Sequence, residues 1–213
     1  MARAPSSGGK TRLAPHLSEN RLQALRRALL ADTLRAVEGK AETIIFVEPG
    51  DAGPEVETLS PAPVSCVPQV DGDLGRRMRA SITHLLRVLN CYAAILVGSD
   101  IPLLTGDHLH EARETLAATN GVVLGPADDG GYYLIGMKRL HSELFEGVAW
   151  GSSSVLTDTL RIAERAGIEA RLIRSAYDLD TIEDLRRLEG DLRLARPEVA
   201  PHVRAWFSAG GAG

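Results

Sequence analysis

The sequence predicts an α/β protein, a single three-layer α/β/α sandwich around a mostly parallel sheet that one antiparallel element interrupts. Three observations carry that reading. The segments TIIFV (43–47) and YAAILV (92–97) are apolar on both faces, as strands of a sheet covered on both sides are. Segments of helical period separate them, which is the pattern of parallel βαβ units. The strands at 122–124 and 132–137 lie too close in sequence for a helical crossover, so an antiparallel or offset element interrupts the sheet there.

The elements follow in order. Ser18 caps a helix over 19–37, with Leu22, Leu25, Leu29 and Leu30 on one side. The strand TIIFV comes next, then a weaker strand at 64–67. Residues 73–89 place Leu74, Met78, Ile82, Leu85, Leu86 and Leu89 at helical period. YAAILV carries no charged side chain and is expected at the centre of the sheet, buried on both faces. A helix over 106–118, strands at 122–124 and 132–137, a helix over 152–166 and a strand at 170–173 follow. The last helix, 182–194, is capped by Thr181 with Asp184 at its third position.

At 213 residues, with 44% hydrophobic and 24% charged side chains, the chain is expected to form one domain over 1–207, with 208–213 a disordered Gly-rich tail. Its longest apolar run, Cys91 to Val97, is far short of the roughly 18 residues of a membrane span. No apolar leader follows Met1, so a cytoplasmic protein is expected, with Cys66 and Cys91 as reduced core residues. The net charge of −4 divides into +2 over residues 1–90 and −6 over 91–213, with no basic stripe, which argues against a nucleic-acid partner. The six histidines show no ligand spacing and read as surface or loop residues.

Ligands of α/β folds bind beyond the carboxyl ends of the strands, and polar clusters fall there. The first is Ser6-Ser7-Gly8-Gly9-Lys10-Thr11-Arg12, where glycines let backbone N–H groups close on phosphate oxygens and Lys10 and Arg12 supply charge. A mobile tail is the plain alternative. A P-loop is a rival on Gly9-Lys10-Thr11, but residue 4 is Ala where that motif needs Gly, and no strand precedes it. The second cluster is Gly98-Ser99-Asp100-Ile101-Pro102, where Asp100 leaves a buried strand as an oxygen ligand for a divalent cation, or simply forms a turn. The third is Asp128-Asp129-Gly130-Gly131, two carboxylates and two glycines that read either as a hard-cation site or as a hairpin turn. Tyr132, Tyr133, Phe145 and Trp150 gather beyond it, as a pocket wall or a local core patch. Gly72-Asp73-Leu74-Gly75-Arg76 opens a helix whose N–H groups and arginine suit an anion. In Asp178-Leu179-Asp180-Thr181, capping explains one acid but not both.

KTRLAP (10–15), GDLGRRM (72–78), VGSDIPLL (97–104), LGPADDGGYYLIGM (124–137), FEGVAW (145–150) and DLDTIEDL (178–185) together resemble the DUF2064 group of GT-A-like transferases. That group is similar to nucleotide-diphospho-sugar transferases and, more distantly, to phospholactate and molybdenum-cofactor guanylyltransferases. The resemblance implies that Lys10 and Arg12, with Gly8 and Gly9, hold nucleotide phosphates. It implies that Asp100 is the metal-binding aspartate, with Asp128 or Asp129 at the second acidic position. It also implies that the loop of Gly72, Gly75 and Arg76, with Gly130 and Gly131, closes on the nucleotide. Relatives carry a hydrophobic strand before this segment and a longer loop up to the lysine; here the strand is expected to be missing or reduced to a stub, with either the start misassigned or the loop loosely held.

The expected activity is a transfer dependent on Mg²⁺ (or Mn²⁺), with Asp100 and Asp129 as catalytic groups. The donor is a nucleotide sugar, passed to a small-molecule acceptor. The alternative is nucleotidyl transfer of the guanylyltransferase kind, releasing pyrophosphate, and a further alternative is a non-catalytic nucleotide-binding module. Lys10 and Arg12, without local acidic partners, are expected to bind donor phosphate and to have no structural role. Asp100 is expected to share one cation with Asp128 or Asp129.

Overall fold

Ser18 starts the first helix as its position requires: its hydroxyl accepts from the Arg21 amide, and α1 runs over Glu19–Val37. The computed structural model describes residues 1–210. Within the span expected as one domain, the chain packs as two units. One comprises Ala2–Pro68, Ser99–Gly106 and the residues from Asp178 on; the other comprises Gln69–Gly98 and Asp107–Tyr177 with Met1.

In the first unit, β1 (Ala2–Arg3), β2 (Ile44–Glu48) and β3 (Ser65–Pro68) form a parallel sheet in that order. The stub expected at the start is thus a two-residue strand, with Ala2 opposite Val47. A short helix, α2 (Gly53–Glu57), follows β2. The apolar residues of α1 serve two faces rather than one. Leu30 and Leu34 pack with Ile45, Val47 and Val56 under the sheet. Leu22, Leu25 and Leu29 pack with Leu185, Leu188 and Leu192 of α6 (Ile182–Leu194) and with Val203 and Trp206 of α7 (Pro201–Ser208). Serving both sides explains why so many of its leucines are buried, each worth about 2 kcal/mol.

α7 shows no pattern strong enough to read in advance, and its cap comes from elsewhere. Asp32 of α1, buried at 7% exposure, accepts from the amides of His202 (3.0 Å) and Val203 (2.9 Å). α7 reaches Ser208, one residue into the expected tail, while 211–213 lie outside the described residues.

The capping box of α6 forms as the sequence indicates. Thr181 accepts from the Asp184 amide, and the Asp184 carboxylate takes the Thr181 amide at 2.7 Å and the Asp180 amide at 3.1 Å. Desolvation pushes the Asp184 carboxyl up, but these hydrogen bonds outweigh it and leave its pKa below the ordinary 3.8. A depressed carboxylate stabilises the fold above its unfolded pKa and loses that contribution as pH falls through the folded value. Asp184→Ala is therefore expected to cost about 1 kcal/mol at neutral pH, with the deficit fading in acid. Urea unfolding at two pH values checks this; equal deficits at both would contradict it.

In the second unit, the sheet order is β4 (Ala94–Val97), β6 (Tyr132–Met137), β5 (Val122–Pro126), β7 (Ala170–Leu172). β6 runs antiparallel to both β4 and β5, and β7 runs parallel to β5, so the expected antiparallel interruption is present. α3 (Leu74–Thr83), continued by a π-helical turn over His84–Val88, packs against β4; α4 (Gly106–Ala117) precedes β5, and α5 (Val155–Arg165) packs near β7.

The expectation for YAAILV is met in part: no residue of β4 is exposed, and the Met1 ammonium donates to the Val97 carbonyl at 2.7 Å. Within its unit, β4 ends the strand order instead of lying at the centre. Its burial alternates, Ala94 and Leu96 buried, Ile95 and Val97 only half-buried, and Tyr92 is 81% exposed. Lack of charge does not distinguish an edge strand whose outer residues are half-covered from one covered on both faces. The fully buried centre is instead Val122–Leu124 with Leu134, Ile135 and Met137. Cys66 and Cys91 are free thiols but half-buried. His141 lies in a loop, as read, but is buried at 3% exposure with its ring against the Asn120 carbonyl. Among the described residues, no helix is long and apolar enough to cross a membrane.

Candidate active site

The Gly/Ser segment before α1 is fastened, not loose. A 3₁₀ turn at Pro5–Ser7 is held by Glu55, which accepts from the Ser6 amide at 3.1 Å, and by the Ser7 hydroxyl on the Ala4 carbonyl at 2.7 Å. The chain then takes left-handed backbone at Gly8 (φ 86°), Gly9 (φ 107°) and Lys10 (φ 57°). Glycine adopts this freely, but for lysine it is uncommon and must be fixed by surrounding contacts. Among the described residues, the amides of Gly9 and Lys10 have no hydrogen-bond acceptor.

The contacts that fix Lys10 come from distant chain. Its ammonium lies 2.9 Å from Asp180 and 3.4 Å from Asp100, with its side chain only 9% exposed. The two acids are brought together by the main chain, the Leu179 amide donating to the Asp100 carbonyl at 3.0 Å. Burial alone would lower the Lys10 pKa, but the charges of Asp100 and Asp180 outweigh it and leave it above the ordinary 10.5. No acidic partner is local to Lys10, as expected; the partners it does have lie 90 and 170 positions along the chain. Together these groups line a cavity of about 220 Å³, to which Arg3 and Arg26 add charge. Arg12 sits apart from that lining, exposed on the turn Thr11–Leu13.

The remaining predicted residues belong to the other unit. Asp128 and Asp129 are exposed in the β5–β6 turn. Asp129 accepts from the Gly131 amide at 2.8 Å, so both that carboxylate and that amide are engaged in the turn itself. Gly130 (φ 90°) donates to the Ala127 carbonyl and accepts from the Leu156 amide. Asp73 caps α3 by accepting from the Arg76 amide at 2.8 Å, beside Gly72 (φ 125°), and Arg76 itself is exposed. Gly75 has a packing reason to be glycine: a Cβ there would meet the Trp150 indole at 2.2 Å. Tyr132 packs edge-on against the same indole at 6.4 Å, whereas Tyr133 and Phe145 are buried core. The aromatic group therefore divides between a half-buried pair, Tyr132 and Trp150, and two core residues.

Sequence reading did not assign Asp180, Arg3 or Arg26 to the site. Asp180 was legible in part, as the acid that capping left unexplained. Arg26 had a weaker signal, a charge set among the leucines of a helix that buries that side.

A left-handed glycine-and-lysine loop with two free amides thus faces the carboxylates of Asp100 and Asp180, and the comparisons with known proteins place the chain among transferases of the nucleotidyl and nucleotide-sugar class. Residues 15–152 match the family described as "Uncharacterized protein conserved in bacteria (DUF2064)", and the chain belongs to that family. It is 32% identical over 191 residues to the 2-phospho-L-lactate guanylyltransferase of Natronomonas pharaonis, covering 87% of this chain and 83% of the relative. The fold is shared with a crystal structure from Desulfovibrio desulfuricans G20 described as a nucleotide-diphospho-sugar transferase. That match has a TM-score of 0.85 and 28% identity, over 97% of this chain and 93% of the other. A cytidylyltransferase from Leptospira borgpetersenii matches at TM-score 0.55 and 12% identity, over 85% of this chain and 83% of the other, and shares the fold alone.

Proposed function

We propose that the protein transfers a nucleotidyl group from a nucleoside triphosphate to a phosphate-bearing small molecule, releasing pyrophosphate. The observation that carries this is the fixed left-handed Gly8-Gly9-Lys10 loop, with two unpaired amides beside a buried ammonium. Amides and ammonium are the donors that phosphate oxygens need. The acceptor class is suggested by the guanylyltransferase relative, whose acceptor is a phosphorylated lactate by name. Transfer of a sugar from a nucleotide sugar is the second reading, favoured by the D. desulfuricans neighbour.

In either reaction Lys10 offsets charge gathering on the departing phosphate, and the loop amides orient it. Among the described residues no three His, Cys, Asp or Glu side chains converge as a metal cage. Mg²⁺ needs none, since it binds through one or two carboxylates together with substrate phosphates. The 48% exposure of the Asp100 side chain suits such a ligand, with Mn²⁺ as a substitute. A cation held there supplies Lewis-acid neutralisation of the diphosphate.

Mass spectrometry of reactions with nucleoside triphosphates, nucleotide sugars and phosphorylated hydroxy acids separates the two readings. Pyrophosphate with a nucleotidylated acceptor supports the first, a free nucleoside diphosphate with a glycosylated acceptor supports the second, and no donor cleavage by any pairing overturns both. Asp100→Asn is expected to remove metal-dependent turnover while shifting the melting temperature little, because Asp100 is half-exposed. Undiminished turnover would refute its role.

A further inference from the structure

Arg26 is a costly residue for its position. It lies on α1 among Leu22, Leu25, Leu29 and Leu30, with its side chain 8% exposed, and its Nε is buried without a hydrogen-bond partner. A buried guanidinium left partly unsatisfied does not stabilise a fold better than an apolar side chain of similar length. What it does hold is specific. One terminal nitrogen donates to the Gly9 carbonyl at 2.9 Å, and the other is paired with Glu19, two turns earlier on the same helix.

The carbonyl of Gly9 belongs to the same peptide plane as the amide of Lys10. That peptide is trans, because among the described residues only Glu48–Pro49 is cis. In a trans peptide the C=O and N–H point in opposite directions. Pinning the Gly9 oxygen to Arg26 therefore turns the Lys10 N–H away from that guanidinium and fixes the plane from which the left-handed Lys10 backbone proceeds. Without that hold, glycine at φ 107° is free to rotate, and lysine returns to its ordinary backbone regions.

We propose that Arg26 is the positioning residue of the phosphate loop: it touches no phosphate, but presets the Gly9–Lys10 peptide so that the Lys10 amide and ammonium meet the donor already oriented. The affinity part of this rests on the phosphate-binding reading above; the conformational part does not. Preorganisation of this kind enters binding because the loop's ordering is complete before the ligand arrives.

Two measurements on Arg26→Met test it. The first is the backbone ¹³C chemical shifts of Lys10 in the full chain without nucleotide. The wild type is expected to show left-handed values and the variant to lose them. A variant that keeps them overturns the proposal whether or not the protein binds nucleotides. The second is affinity for Mg²⁺–GTP and the other nucleoside triphosphates, expected to fall about tenfold or more in Arg26→Met and to recover in part in Arg26→Lys, which still offers one donor. Leu192→Ala, a core variant outside the loop and the cavity lining, serves as the control for general loss of stability. If it weakens affinity as much as Arg26→Met does, Arg26 is merely structural and the proposal fails. A wild type that binds no nucleotide, with the left-handed signature still dependent on Arg26, would sink the phosphate reading and leave the positioning intact.

Discussion

Replacing Lys10 with methionine is expected to slow donor cleavage by about two to three orders of magnitude, the scale for losing one preorganised charge-stabilising donor. The same change is expected to lower stability by only about 1 kcal/mol. Its partners Asp100 and Asp180 are 48% and 39% exposed, so solvent screens much of both ion pairs, and the methionine fills the buried stem. The sequence alone predicts a nearly unchanged melting temperature; the structure adds a modest cost through these partners. The pH dependence has a definite sign. A lysine with a raised pKa contributes stability below its ordinary 10.5 and loses it as pH rises through the folded value. The difference between wild type and variant should therefore be flat from about pH 6 to 9 and shrink only in strong alkali. Initial rates and urea titrations across that range check both halves. A variant that loses stability and keeps its rate would assign Lys10 to the scaffold.

Gly130→Ala is expected to be the most damaging single methyl group in the predicted site. A Cβ at Gly130 would lie 2.1 Å from the Ser153 carbonyl oxygen and 2.7 Å from its carbon, and backbone cannot yield as a flexible side chain does. The residue also holds φ at 90°, where an L side chain is strained. Left-handed strain and overpacking together suggest about 3–5 kcal/mol, a fall in Tm of roughly 10 °C or more. The loss should be the same with and without nucleotide, because the collision is with the protein's own chain. Scanning calorimetry of the variant decides it; a Tm within a degree or two of wild type would mean that the turn relaxes and that the glycine has another purpose.

These two residues also show where sequence reading stops. Local signals carried far: Ser18 and Thr181 mark the starts of α1 and α6, and the spacing of Tyr132–Met137 gives β6 to the residue. Hydrophobic period and capping act within a few positions, so a sequence displays them. The phosphate-loop composition at Gly8-Gly9-Lys10 was legible for the same reason. Pairing was not. β4 looks central from its own residues and becomes a terminal strand only through its partner β6. Lys10 looks unpaired until Asp100 and Asp180 are folded against it. The cap of α7 is Asp32, 170 positions before His202. Each of these depends on long-range placement, and none leaves a mark in the neighbouring sequence. Gly75 and Gly130 read equally as ligand approach or as packing, and the structure supplies the neighbours, Trp150 and Ser153, that give packing a sufficient cause.

The proposed transfer requires the Gly8-Gly9-Lys10 loop to receive the phosphates of a nucleotide donor. Isothermal titration of nucleoside triphosphates into wild type and Lys10→Met, each with and without Mg²⁺, tests that claim most directly. The expected result is saturable binding of at least one nucleoside triphosphate to the wild type, strengthened by Mg²⁺ and weakened by about tenfold or more in the variant, as loss of a charged hydrogen bond requires. Binding of equal strength in both proteins would place the phosphates elsewhere and contradict the account.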